Sequence, residues 1–135
     1  MTKFTISRLA EQAEVNLQTI RYYEREELLL PVARTEAGYR IYPKEAVLRI
    51  RFIKRAQELG FSLSEIKALL CLRVDPGTTQ SDIRERAQEK LADVEQKMRH
   101  LEAIRMSLMR LTDNCSGCGP LGECPILENL DGKEF

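Results

Sequence analysis

Between Ser81 and Thr112 the chain carries neither proline nor glycine, and Ala87, Leu91, Val94, Met98 and Leu101 recur in steps of four and three. The pattern continues less regularly through Ile104, Leu108 and Leu111, with charged residues filling most of the remaining positions. Such spacing predicts one uninterrupted helix with a narrow apolar seam of the coiled-coil kind. At 1.5 Å per residue it is roughly 45 Å long. A chain of 135 residues has little left with which to cover a stripe of that length. A second copy of the same helix is the economical partner, so the expectation is a two-fold homodimer.

The flanking segments read as short elements. Ser7 precedes "RLAEQAEV", with Leu9, Ala10 and Ala13 on one side. Asn16 is a good cap for "LQTIRYYEREELL", in which Ile20, Tyr23 and Leu28 face inward and after which Pro31 halts the helix. Two brief helices across a tight turn form a helix-turn-helix candidate. "ARTEAGYRIY" reads as a β-hairpin turning at Glu36-Ala37-Gly38. Pro43 opens a third helix with a Val47, Ile50, Ile53, Ala56 stripe that Gly60 ends. Ser62 and Glu65 form a capping box for a fourth, which Asp75-Pro76-Gly77 breaks.

The front half is where a polyanion would bind. Lys+Arg and Asp+Glu balance at 21 each, but residues 1–60 hold eleven basic against eight acidic residues and residues 61–135 hold ten against thirteen. Gln18, Thr19, Arg21, Tyr22 and Arg25 put polar groups near the start of the second helix, where a recognition helix meets base edges. Arg34, Tyr39, Arg40 and Tyr42 give the hairpin a cation–aromatic mixture suited to phosphates and sugars.

Three of the four cysteines crowd into "NCSGCGPLGEC". No apolar run approaches the roughly 18 residues of a membrane span, and "MTKFTISRLAEQ" has no signal-peptide core or cleavage site. The expected location is the cytoplasm, whose reducing conditions favour thiolates or metal ligands over disulfides. Cys115, Cys118 and Cys124 stand among Gly117, Gly119, Pro120 and Gly122, which let the backbone wrap a small object. A thiolate-only set selects Cu(I), Ag(I), Hg(II), Zn(II) or Cd(II). Cys71, inside "LLCLR", reads as a small buried hydrophobe and His100 as solvated.

"TIRYYEREELL", "RTEAGYRIY", "RFIKRAQELGFSLSEIKALL" and "CPILENL" together resemble the MerR family of bacterial transcription regulators, in its metal-responsive branch, over roughly residues 4 to 130. The resemblance implies a mainly α fold. Residues 1–75 would form a winged helix-turn-helix DNA-binding domain with a linking helix pair, 76–112 an antiparallel coiled-coil dimerisation helix, and 113–135 a metal-binding loop with a short C-terminal helix. It implies a dimer that bends and untwists promoter DNA for RNA polymerase when an effector binds. It places DNA contacts at Arg21, Tyr22, Tyr23, Arg34, Tyr39 and Arg40, and two loop ligands at Cys115 and Cys124. Relatives sensing divalent ions carry a further cysteine at the start of the dimerising helix, and relatives sensing monovalent ions carry serine. Here that position is Gln80, with Ser81 beside it, so neither class matches.

Two alternatives stand beside this. The loop also resembles the iron–sulfur loop of the family's SoxR-type redox sensors, but a cluster takes four thiolates and Pro120 stands where a third would fall. A thiol–disulfide switch without a cluster is the related possibility. The remaining class is a small metal carrier or enzyme, for which the loop lacks histidine and no nucleophile–base pair is evident.

Overall fold

The computed structural model describes residues 3–30 and 33–132. Its described residues fall into two units, Met1–Ala87 and Gln88–Phe135, the boundary lying inside the long helix.

In the first unit β1 (Lys3–Thr5) runs directly into α1 (Ile6–Ala13). The cap of α1 is Thr5, whose Oγ1 accepts from the Arg8 N–H at 3.3 Å, and Ser7 lies within the helix. Glu14 ends α1 at φ +58°, and the Val15 N–H donates to the Ala10 carbonyl at 3.0 Å. Asn16 then caps α2 (Leu17–Arg25), its Oδ1 accepting from the Thr19 N–H at 2.7 Å. Three residues thus separate the helices, and their caps set the turn. The second helix closes at Arg25, earlier than its sequence suggests. Glu27 turns left-handed at φ +61°, the Leu28 N–H bonds the Tyr23 carbonyl at 2.9 Å, and Leu28 and Leu29 drop into the core. Pro31, expected to stop α2, lies outside the described residues.

The hairpin forms as expected. β2 (Ala33–Arg34) pairs antiparallel with β3 (Arg40–Pro43), and Gly38 supplies the φ of +88° that the turn requires. A third strand was not foreseen. β1 pairs with the other edge of β3, giving the order β1-β3-β2. That pairing corrects the reading of Pro43, which is held extended opposite Lys3 as the last residue of β3. The third helix, α3, therefore spans Ala46–Glu58 and starts three residues later than Pro43.

α3 organises the unit. Ala46, Ile50, Ile53 and Ala56 are buried along one face, against Leu9 of α1, Ile20 of α2, Tyr42 of β3 and Ile66 of α4 (Leu63–Val74) in one core cluster. Its arginines also close the helix-turn-helix: Arg49 Nε donates to the Leu28 carbonyl at 3.1 Å and Arg51 Nη2 to that of Gln12 at 3.4 Å. The expected capping box starts α4, with the Glu65 N–H on Ser62 Oγ at 3.2 Å and the Ser62 N–H on Glu65 Oε1 at 2.8 Å. After the Asp75–Gly77 turn, Thr79 and Asp82 make a second reciprocal cap.

The long helix α5 runs Gln80–Asp113, against the expected Ser81 to Thr112. Leu91, Met98, Leu101 and Leu108 are 56%, 63%, 62% and 55% exposed, so the seam is open to solvent over most of its length. Leu111 alone of the seam is buried. Past a loop, α6 (Pro125–Leu130) closes the second unit. Among the described residues, no helix is long and apolar enough to cross a membrane.

Because Ile53 is fully buried in the core cluster shared with α1, α2, β3 and α4, Ile53→Ala should cost about 2–5 kcal/mol in denaturant unfolding. Leu48→Ala on the 63%-exposed face of the same helix should stay within about 0.5 kcal/mol.

Candidate functional site

With Ile20 and Tyr23 buried, the helical period turns Gln18, Arg21, Tyr22 and Arg25 outward on α2. Those four are exposed, and the Arg25 guanidinium lies 5.9 Å from the centre of the Tyr22 ring. Thr19 is half-buried and donates its hydroxyl to Asn16 Oδ1 at 2.9 Å, so it serves the cap first.

Two grooves flank this face. One, of about 730 Å³, runs between α2 and the hairpin and brings Arg21 together with Arg34, Tyr39 and Arg40. The turn is tied internally, Arg34 Nη1 donating to the Gly38 carbonyl at 3.2 Å and the Tyr39 N–H to Thr35 Oγ1 at 3.0 Å. Tyr39 itself is 70% exposed at the tip. The other groove, of about 640 Å³, is lined by Gln18, Thr19, Tyr22 and Arg25 and also by Lys54 and Gln57 of α3. Lys54 was not among the residues read from the sequence. Only the fold shows that α3 brings a cation beside the start of α2.

Tyr23 and Tyr42 do not join this surface. Tyr23 is 2% exposed and its hydroxyl donates to Gln57 Oε1 at 2.8 Å. Burial, with Tyr22 adjacent, pushes its phenol above the usual tyrosine range. Tyr42 is fully buried, and its hydroxyl has no partner among the described residues. Both rings are core, because alternation along β3 and the period of α2 turn them inward. Burial leaves both rings little surface to offer a duplex, Tyr23 only lining the second groove.

In the second unit Cys115 follows the end of α5, its N–H bonding the Thr112 carbonyl at 3.2 Å. Gly117 and Gly119 reverse the chain at φ +79° and +111°, and the Cys118 N–H donates to Ser116 Oγ at 3.3 Å. Cys124 is the residue before α6, its carbonyl accepting from the Glu128 N–H at 3.0 Å. Cys115 and Cys124 are half-buried and Cys118 is exposed; all are free thiols. Soft sulfur donors on a tightly turned loop suit a thiophilic ion in type. Among the described residues, no three His, Cys, Asp or Glu side chains form a group that could hold a metal ion. Cys71 is exposed on α4, which corrects its reading as a buried hydrophobe. His100 is exposed as expected.

The sequence profile of the MerR HTH family regulatory protein matches residues 4–71, and that of the MerR DNA-binding region matches residues 47–111. The HTH-type transcriptional regulator ZntR of Escherichia coli K12 is 40% identical over 130 residues, covering 95% of this chain and 92% of that protein. The mercuric resistance operon regulatory protein of Bacillus cereus is 42% identical over 131 residues, covering 97% and 99%. Among solved structures, the transcription regulator PbrR691 of Ralstonia metallidurans CH34 with lead(II) superposes with a TM-score of 0.85 at 34% identity, covering 94% of this chain and 98% of that one.

If the outward arginines hold phosphates while Tyr42 only packs, Arg21→Ala weakens duplex binding and lowers its log–log salt slope by about 1. Tyr42→Phe, which removes a hydroxyl that has no partner, leaves both affinity and thermal stability at the parent's values. Gel shift at several salt concentrations, with a thermal melt, reads both.

Proposed function

The chain belongs to the MerR family of helix-turn-helix regulators, and we propose that it regulates transcription from its own promoter in response to a thiophilic metal ion bound by Cys115 and Cys124. It is a DNA-binding regulator and not an enzyme. What supports the DNA half is the outward face of Gln18, Arg21, Tyr22 and Arg25 flanked by the hairpin's Arg34, Tyr39 and Arg40. A helix of that width enters the roughly 12 Å major groove, and the hairpin reaches neighbouring phosphates. Lys54 adds a phosphate contact from α3.

The functional division follows: residues 1–75 bind DNA, 76–112 pair with a second copy, and 113–135 take the ion. Pairing is supported by the open seam, which two antiparallel copies of α5 would cover. The promoter duplex and RNA polymerase are the partners, and the cytoplasm is the compartment.

Cys115 and Cys124 would hold the ion, which supplies two strong metal–sulfur bonds where α5 and α6 meet the loop. Two half-buried cysteines from one chain, with Cys118 exposed, favour a low-coordinate ion such as Cu(I), Ag(I) or Hg(II). Zn(II) or Cd(II) at four-coordination needs further donors, from Cys118 or from a second protomer. Distorting a bound duplex costs of order 1–6 kcal/mol, and a difference in ion affinity between two states of the dimer must match it.

Cys115→Ser and Cys124→Ser should each abolish metal-dependent transcription from a reporter while leaving promoter affinity near that of the parent. Cys118→Ser should retain induction. Full induction by either of the first two variants removes the ligand assignment, and a brown, anaerobically purified protein would return the iron–sulfur reading. Met98→Glu, placing charge in the seam, should turn a sedimenting dimer into monomer.

A further inference from the structure

Glu24 contributes an acid to the flank of α2 that faces the hairpin, where a polyanion would be met. It lies one turn beyond Ile20 and directly after Tyr23, so the helical period tilts it toward β3 rather than outward. Arg40 and Tyr42 share a face of β3, two residues apart, and Tyr42 is fully buried. The arginine stem is thereby aimed back at α2. Its Nε meets Glu24 Oε2 at 3.3 Å, the carboxylate side chain being 11% exposed and the guanidinium side chain 39%. Glu24 Oε1 is buried and has no hydrogen-bond partner, so Arg40 is the one cation paired with that carboxylate among the described residues. The Arg8–Glu11 and Arg55–Glu58 pairs, by contrast, each join residues three apart on one helix. Beside the packing of Tyr42 in the shared core, this pair is a charged tie between the hairpin and α2.

From this we infer that Glu24 is a positioning residue for DNA binding. By holding Arg40 it fixes the hairpin at one distance from α2, so that Arg34, Tyr39 and the remaining exposed edge of Arg40 reach phosphate while Arg21 sits in the groove. An acid at a DNA-facing surface ordinarily weakens binding through repulsion. Here its removal weakens binding instead, because the hairpin that carries three of the contacts loses its fixed distance. The inference rests on the regulator assignment above.

The test is a double-mutant cycle in the full-length protein, titrated onto its own promoter duplex at several salt concentrations. Glu24→Gln, isosteric and more positive by one charge, should bind about tenfold more weakly, and Arg40→Gln by a similar factor. The double variant should be no weaker than the weaker single one, and Glu24→Asp should recover most of the lost affinity. Amide hydrogen exchange in the free protein gives a readout without DNA: Glu24→Gln should speed exchange at Thr35 and Tyr39 while leaving α3 unchanged. Binding by Glu24→Gln as tight as the parent or tighter, losses that add in the double variant, or faster exchange spread through α3 each overturn the proposal. A parent protein that binds no promoter duplex overturns the regulator assignment instead, and the exchange measurement still decides the clamp.

Discussion

Leu91, Val94, Met98, Leu101, Ile104 and Leu108 share one line along α5, and each is at least 37% exposed. An isolated helix of this length gains little from propensity alone, and most helical stability comes from packing an apolar face. Burying a leucine fully is worth about 1.5–3 kcal/mol, so six half-open side chains leave a large favourable term uncollected in the single chain. Ion pairs such as Glu102–Arg105 at 2.9 Å add little at such exposure. The proposed pairing of two copies would therefore supply much of what holds α5 as one continuous helix. The thiol loop would inherit its setting from that pairing, because Cys115 comes two residues after the last residue of α5.

The front unit is economical in a different way. α3 supplies the core through Ile50 and Ile53, donates through Arg51 to the Gln12 carbonyl at the end of α1 and through Arg49 to the Leu28 carbonyl just past α2, and lends Lys54 and Gln57 to the groove beside α2. Gln57 also accepts the Tyr23 hydroxyl, so the buried side of the recognition helix is fastened to the same element. Orientation of the outward arginines is thus set from behind. A recognition helix of nine residues could not hold itself at a fixed angle without such support.

What the sequence disclosed and what it hid divide along a physical line. The seam, the Asn16 cap, the Ser62–Glu65 box and the glycine turn at Gly38 were legible because each is a local spacing that one hydrogen bond or one period enforces. β1 was not, since three residues carry no readable alternation and the strand exists only through pairing with β3. Missing it misplaced the start of α3. The four tyrosines of the front half look alike in sequence, yet Tyr22 and Tyr39 face solvent while Tyr23 and Tyr42 are core. That distinction needs the direction of each side chain, which the register of β3 and the burial of Ile20 supply. Cys71 shows the converse error, an apolar neighbourhood in sequence that does not bury the thiol in the chain by itself. Lys54 and the Glu24–Arg40 pair are tertiary facts between residues far apart in the chain.

Net charge also misleads about what such a chain can hold. The formal total is zero, yet that sum counts charges farther from the duplex than the roughly 8–10 Å over which they act in physiological salt. Within that range, the outward face of α2 and the hairpin offers Arg21, Arg25 and Arg34, with Lys54 at the margin. Glu24, on the flank of α2 that faces the hairpin, has its charge compensated by Arg40 and turned inward, while Glu36 in the turn and Glu14 beside the second groove stay exposed. A phosphate entering the groove between α2 and the hairpin meets Arg21, Arg34 and Arg40, with no acid among that groove's described lining residues. Pairing two chains through α5 would present this surface twice, so the effective charge toward DNA comes from arrangement rather than from composition.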